Sequence, residues 1–336
     1  MSTVMESPAA APRTAPHTTH KLKWLLRREF WEHKGGFLWA PVWAGGISLL
    51  LTLMALIFGE VAARRSGGIS INGLDLRQLT DNMSPAEMAR FSDAATMSLA
   101  SAALWPLIVL GFVVFFYCLG TLYDERKDRS VLFWKSLPVS DRDTVLSKLA
   151  SALLVAPAIA VAVGAACMVA FLLMVSVFAG LHGVNPLQFL QPGRLLANIG
   201  LLLAMVPVYA LWALPTAGWL MLCSAAARSK PFLWAIMIPV FTGIFITWFD
   251  VMNLFQLESG WFWKNIVARG LLSVFPGTWV DVMDMAALTR GDMPGHLDLL
   301  RSSYGVFATP QMWIGAAAGI AMILAAIRLR RWRDEG

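Results

Sequence analysis

Charge is scarce in this chain. Asp, Glu, Lys and Arg make up 14% of its 336 residues, against 57% hydrophobic ones, whereas soluble domains carry about 25% charged residues. The scarcity is sharpest inside the long apolar runs, whose cores hold no Asp, Glu, Lys, Arg or His; Asn198 is the most polar side chain near one. Ion-coupled carriers and proton relays depend on ionisable groups within the membrane, and intramembrane hydrolases need a buried base, metal ligands or an aspartate pair. Both classes are disfavoured. No His-Glu-x-x-His, Gly-x-Ser-x-Gly or phosphate-loop pattern occurs. The three cysteines, Cys118, Cys167 and Cys223, each sit in an apolar run and read as small buried hydrophobes, without metal-ligand or disulfide spacing. The five histidines, His17, His20, His33, His182 and His296, are scattered over loops and the N-terminal region.

What is present is apolar sequence in membrane-length pieces. The mean hydropathy is +0.62, and the surplus falls into runs of roughly 18 or more residues, enough to cross a hydrocarbon core about 30 Å thick. The expected fold is an all-α polytopic membrane protein with six spans, near 37–59, 97–120, 149–180, 195–225, 231–249 and 311–327. Residues 1–20, rich in Ala, Pro, Thr and Ser, read as a disordered tail rather than a signal peptide, and residues 21–336 as one membrane domain.

Between tail and first span, KLKWLLRREFWEHK places Leu22, Leu25, Leu26 and Phe30 on one helical face, with Arg27 and Arg28 among the basic residues around it. Trp24 and Trp31 flank the stripe and Glu29 interrupts it. This is an amphipathic interfacial helix or a basic anchor for the next span. Ser84-Pro85-Ala86-Glu87 is a helix-start pattern before the second span. The third run is longer than a straight span needs, and Pro157 predicts a bend in it. The 250–309 segment is too apolar for a solvated loop and too interrupted to span, which predicts an interfacial or re-entrant stretch. Its carboxylates Asp281 and Asp284, three apart, read as a solvated face before a cation site.

Lysine and arginine assign the sides. Two thirds of them fall in the four segments that share a side with the N-terminus, at about threefold higher density than in the others, so both termini and the 121–148 segment are expected in the cytoplasm. The net charge of +6 is thus a matter of topology and not a nucleic-acid footprint.

The 121–148 segment, TLYDERKDRSVLFWKSLPVSDRDTVLSK, is the densest run of charge in the chain. Arg129 to Leu137 can form a short helix stopped by Pro138, with Val131, Leu132, Phe133 and Trp134 available to fill a partner's groove. Asp124, Glu125 and Arg126 supply charges of both signs beside it, which would set register against that partner. A helix capped by Ser140, with Asp143 in its first turn, leads directly into the third span. A push on the short helix would be carried into the membrane.

These residues resemble the loop between the second and third spans of ABC-2-type ABC transporter permeases. Glu125-Arg126, Leu137-Pro138-Val139-Ser140 and Lys148 match that pattern, while Arg129-Ser130-Val131-Leu132 stands where the family often has Gly-Thr-Leu-Glu. The resemblance is sharpest over about 25 residues and implies a permease of the bacterial inner membrane, paired with a second permease copy and with separate ABC ATPase subunits. ATP and Mg would be bound by the ATPase, and no cofactor by this chain. It further implies that Arg228 and Lys230 make a second contact with the ATPase, and that Trp261, Trp263, Phe275, Pro276 and Trp279 belong to an external gate. The alternatives are a membrane anchor or sensor that holds a cytoplasmic partner and transports nothing, and an intramembrane enzyme. Prolines in five of the six spans lean toward a moving pore.

Overall fold

The computed structural model of the chain describes residues 21–65, 70–71, 74–75, 84, 98–130, 139–181, 192–252, 258–280 and 296–332. Among these residues the fold is helical except for one two-residue antiparallel pair, β1 (Ser70–Ile71) and β2 (Leu74–Asp75). Six helices are long and apolar enough to cross a membrane, so the chain is a multi-pass membrane protein, as its composition predicts.

The amphipathic helix α1 (Lys21–Glu32) continues through a π-helical turn at Gly35–Trp39 into α2 (Ala40–Arg65). At the centre of the bundle stands α3 (Leu104–Lys127): 56% of its apolar stretch is buried within the chain, against 6% for that of α2. Its helix runs on beyond the expected end near 120 and carries Asp124, Glu125 and Arg126 in its last two turns. Arg129, in the left-handed region at φ 55°, ends it.

Next comes α4 (Asp141–Ala150), whose first turn is closed by Ser140 Oγ accepting from the Asp143 N–H at 3.1 Å, the cap the sequence predicts. A π-helical turn, Ser151–Val155, joins it to α5 (Ala156–Leu181). Pro157 cannot donate to the carbonyl of Leu153, and the wider turn just before it accommodates the ring. The third span is therefore the later part of a single run, Asp141–Leu181, of 41 residues.

The expected fourth span, 195–225, is instead two helices, α6 (Pro192–Trp212) and α7 (Leu214–Ala226). Pro215 removes the N–H that would have bonded Leu211, and the helix breaks just upstream at Ala213. Its flanking bonds survive, Ala213 N–H to Tyr209 and Ala217 N–H to Ala213. The break lets α7 lie against the final helix, α12 (Pro310–Trp332), with the backbones almost in contact. A Cβ on Gly218 would sit 2.6 Å from the carbonyl oxygen of Gly319, and one on Gly319 would sit 2.6 Å from that of Leu214. Glycine at both positions permits this approach.

Between them lies α8 (Pro231–Val251), which starts after Lys230 at φ 49°. The following segment folds back along α8 as α9 (Ser259–Phe262), a π-helical stretch Trp263–Ala268, and α10 (Arg269–Leu272). Trp263 lies against Gly243 and its Nε1 donates to Thr247 Oγ1 at 2.8 Å. The chain then turns through Gly277, at φ +88°. Finally α11 (His296–Gly305) packs on α6, where the Tyr304 hydroxyl donates to the Ala204 carbonyl. The tail, Pro85 to Glu87, and Asp281 and Asp284 lie outside the described residues.

Candidate functional site

Five helices bring one end each to a common point. They are α1, the last turns of α3, α4 from Asp141 to Lys148, the end of α7 and the last turns of α12. The chemistry there starts with Glu29, four residues after Leu25 on the same face of α1, and both are buried. Glu29 does not interrupt the apolar stripe of α1; it is the polar part of the inward face. Its side chain is 0% exposed and that of Lys148 on α4 is 1%.

Lys148 Nζ lies 2.9 Å from Glu29 Oε1 and 3.0 Å from Glu125 Oε1. The Tyr117 hydroxyl donates to the other Glu29 oxygen at 2.8 Å. Glu125 Oε2 accepts from Arg330 at 2.5 Å, and Arg330 Nε donates to Asp141 Oδ1 at 3.1 Å. Arg28 completes the set, 3.3 Å from Glu125 and 3.2 Å from Glu32. Arg28, Lys148 and Arg330 thus face Glu29, Glu125 and Asp141, with the more exposed Glu32 as a fourth carboxylate at the edge, on Arg28. Balance and hydrogen bonding make such burial tolerable, and removing one partner leaves an uncompensated charge.

Arg126 acts beside this cluster on a different target. It donates to the carbonyls of Ser224 at 2.6 Å and Ala227 at 3.0 Å, groups that the end of α7 would otherwise leave without partners. Ser224 Oγ in turn accepts from the backbone N–H groups of Leu122 and Tyr123 at 3.1 and 2.9 Å. Two helices from distant parts of the chain are thereby pinned together.

This arrangement redistributes the residues expected to meet a partner. Glu125 and Arg126 are buried and bonded within the chain, so they are not a free pair at the surface. Asp124 and Arg129 are exposed at the end of α3, and Arg228 and Lys230 are exposed in the turn between α7 and α8. Val131, Leu132, Phe133, Trp134, Leu137 and Pro138 lie outside the described residues. On α1, Trp24 and Trp31 are exposed with Arg27 and Lys34 over their rings, at 5.6 and 5.1 Å, and Phe30 is half-buried. The sequence marks Glu29 only as an interruption of the stripe and Asp141 only as the start of a capped helix, and it gives no role to Tyr117 or Arg330. One signal was available: an acidic residue within the apolar stripe of a helix asks for a buried cation.

Glu29, Glu32 and His33 come close enough to share a metal ion. The ammonium group of Lys148 already sits on the Glu29 carboxylate, and a second cation there would meet it head-on.

The 258–280 segment forms a second polar region. Arg269 lies 3.6 Å from the Trp212 ring centre, packs against Gly315 and donates to the Gln311 carbonyl at 3.1 Å. Thr216 Oγ1 donates to the Arg269 carbonyl and accepts from the Ser273 N–H, and the Tyr209 hydroxyl donates to the Val274 carbonyl. Of the expected gate residues, Phe275 lies against Gly111 and Phe112, and Trp279 is buried with its Nε1 donating to Ser303 Oγ. Trp263 packs on α8, Pro276 is half-buried, and Trp261 is exposed. The segment is thus tied to α3, α6, α7 and α8 through hydrogen bonds and aromatic packing. Compared with known proteins, the chain matches no protein-family model, no curated protein and no solved structure.

Proposed function

We propose that this chain is the membrane-spanning permease subunit of an ATP-driven exporter and that residues 128–140 dock a separate ATPase on the cytoplasmic side. The supporting observation is the buried ion cluster. The two helices that flank the docking stretch, α3 and α4, are joined to each other by Glu125 and Lys148, and to α12 by Arg330. A displacement of the stretch would therefore move three helices together, since each buried pair resists separation. In this reading Asp124, Arg129, Arg228 and Lys230 form the charged rim of the docking surface, and Leu132, Phe133 and Trp134 its apolar part. Glu125 and Arg126 hold the scaffold beneath it. The ATPase supplies the ATP and Mg site, the positive-inside distribution of Lys and Arg sets the orientation, and a second permease copy completes the pore. The segment that folds back along α8 serves as the external gate.

The test is to purify the tagged chain from its own membranes and look for a co-purifying subunit with a phosphate-loop motif and ATPase activity. Reversing Arg129 and Lys230 to Glu, or replacing Leu132 by Pro, is expected to abolish co-purification and transport while the chain still inserts. Absence of such a subunit from the wild-type preparation, or its full retention by these variants, refutes the proposal.

A further inference from the structure

A groove of about 400 Å³ runs between α4 and α12, outside the ion cluster. Two helical stripes line it and end in the same way. On α4, Arg142 is followed by Leu146 and Leu149; on α12, Ile320 and Leu324 lead to Arg328. Positions three, four and eight apart share a helix face, so each stripe is an apolar ladder with a guanidinium on its last rung. The helices run in opposite directions, α4 starting and α12 ending at the ion cluster, where Arg330 bonds Asp141. Both arginines therefore stand at the same mouth of the groove. From Arg328 to Ile320 the apolar part is about 12 Å long at helical rise, and Leu214 of α7 also lines it.

Arg142 and Arg328 are exposed, and among the described residues neither has an ion pair. Asp141, the neighbour of Arg142 in the chain, accepts from Arg330. Two exposed guanidinium groups, neither ion-paired among the described residues, stand over an apolar slot and complement a ligand with an anionic head and a hydrocarbon tail. In a multi-pass membrane protein, the surrounding lipid supplies that chemistry at the depth where helices end. We propose that this groove binds one anionic phospholipid, its phosphate held by Arg142 and Arg328 and an acyl chain lying along Leu146, Leu149, Ile320 and Leu324. Arg is suited to the role because its planar fork meets phosphate oxygens two at a time. Bound there, the lipid would fill the seam between the helix that leads out of the charged segment and the last helix of the bundle.

The site can be tested without any partner protein, so its failure would leave the transport proposal untouched. The full chain is purified in mild detergent, delipidated, and titrated with phosphatidylglycerol or phosphatidylcholine under native mass spectrometry. The wild type is expected to bind phosphatidylglycerol more tightly. The R142Q/R328Q variant should lose on the order of tenfold in that affinity, a larger loss than for phosphatidylcholine, whose phosphate charge is offset by its own choline. Leu324→Trp, which fills the slot and keeps both arginines, should weaken both lipids. Both arginines are at the surface, so an unchanged unfolding midpoint is expected for R142Q/R328Q. Equal affinity of the wild type for the two lipids would overturn the proposal, as would a phosphatidylglycerol affinity indifferent to the arginines. So would a Leu324→Trp variant that dissociates a dimer and binds lipid normally, since a second copy of the chain would then cover this face.

Discussion

At one end of the bundle Glu29, Glu125 and Asp141 face Lys148, Arg330 and Arg28. Near the other, about 28 Å along α12 from Arg330 to Gln311, Arg269 is half-buried with no carboxylate partner among the described residues. The first region neutralises charge with charge. The second uses the face of Trp212 and one carbonyl oxygen. A guanidinium is weakly hydrated and stacks on aromatic rings, so its burial can be supported this way; a lysine ammonium or a carboxylate, more strongly hydrated, needs a counter-charge. The difference has a mechanical meaning. Ion pairs between separate helices act as clamps, because neither side can leave without exposing the other. A stacked arginine can slide over its ring and give up less.

The comparison can be broken most severely at Lys148. Lys148→Met removes the one cation that bridges Glu29 and Glu125; Glu125 keeps Arg330 and Arg28, but the fully buried Glu29 loses its close counter-charge, and the expected loss is about 3–5 kcal/mol of stability. The intrinsic fluorescence of the 15 tryptophans during thermal unfolding in detergent measures it; a midpoint equal to the wild type would show that the cluster clamps nothing. A smaller effect is expected when Glu29→Gln accompanies Lys148→Met. The orphaned charge on α1 is then gone, and the double variant should recover part of the midpoint lost by the single one. If the two losses simply add, Glu29 and Lys148 are not coupled. The smallest effect is expected at the other end. Trp212→Leu removes the ring beneath Arg269 and should cost about 0.5–2 kcal/mol, with the Glu29 cluster intact. A loss as large as that of Lys148→Met would erase the distinction between the two regions.

Much of the fold was legible because the membrane imposes local rules. A run of about 20 apolar residues needs no distant partner to become a spanning helix. Ser140 caps α4 through a residue three positions away, and such short-range chemistry can be read in one dimension. The failures have a different origin. The fourth span reads as continuous from 195 to 225, yet Pro215 divides it, and α7 is held by α12, whose Gly319 lies about a hundred residues further on. Glu125 and Arg126 read as surface charges because charge in a polar stretch usually meets water. They turn inward because their partners, Arg330, Lys148 and the carbonyls at the end of α7, come from three other helices. The candidate site was thus recognisable as a place, the charged stretch after the second span, and not as an arrangement.

By itself, the sequence determined that this is a helical multi-pass membrane protein, roughly where its spans lie, and that its charge is concentrated between the second and third. Composition and helical period decide these, and both are properties of neighbouring residues. Only the tertiary structure decided which of those charges are free. Glu29 and Lys148 are 119 residues apart, and Glu125 and Arg330 are 205 apart. Buried pairs form where helix ends happen to meet, since the cost of desolvating an ion is met by whichever counter-charge packing delivers, however remote it is along the chain.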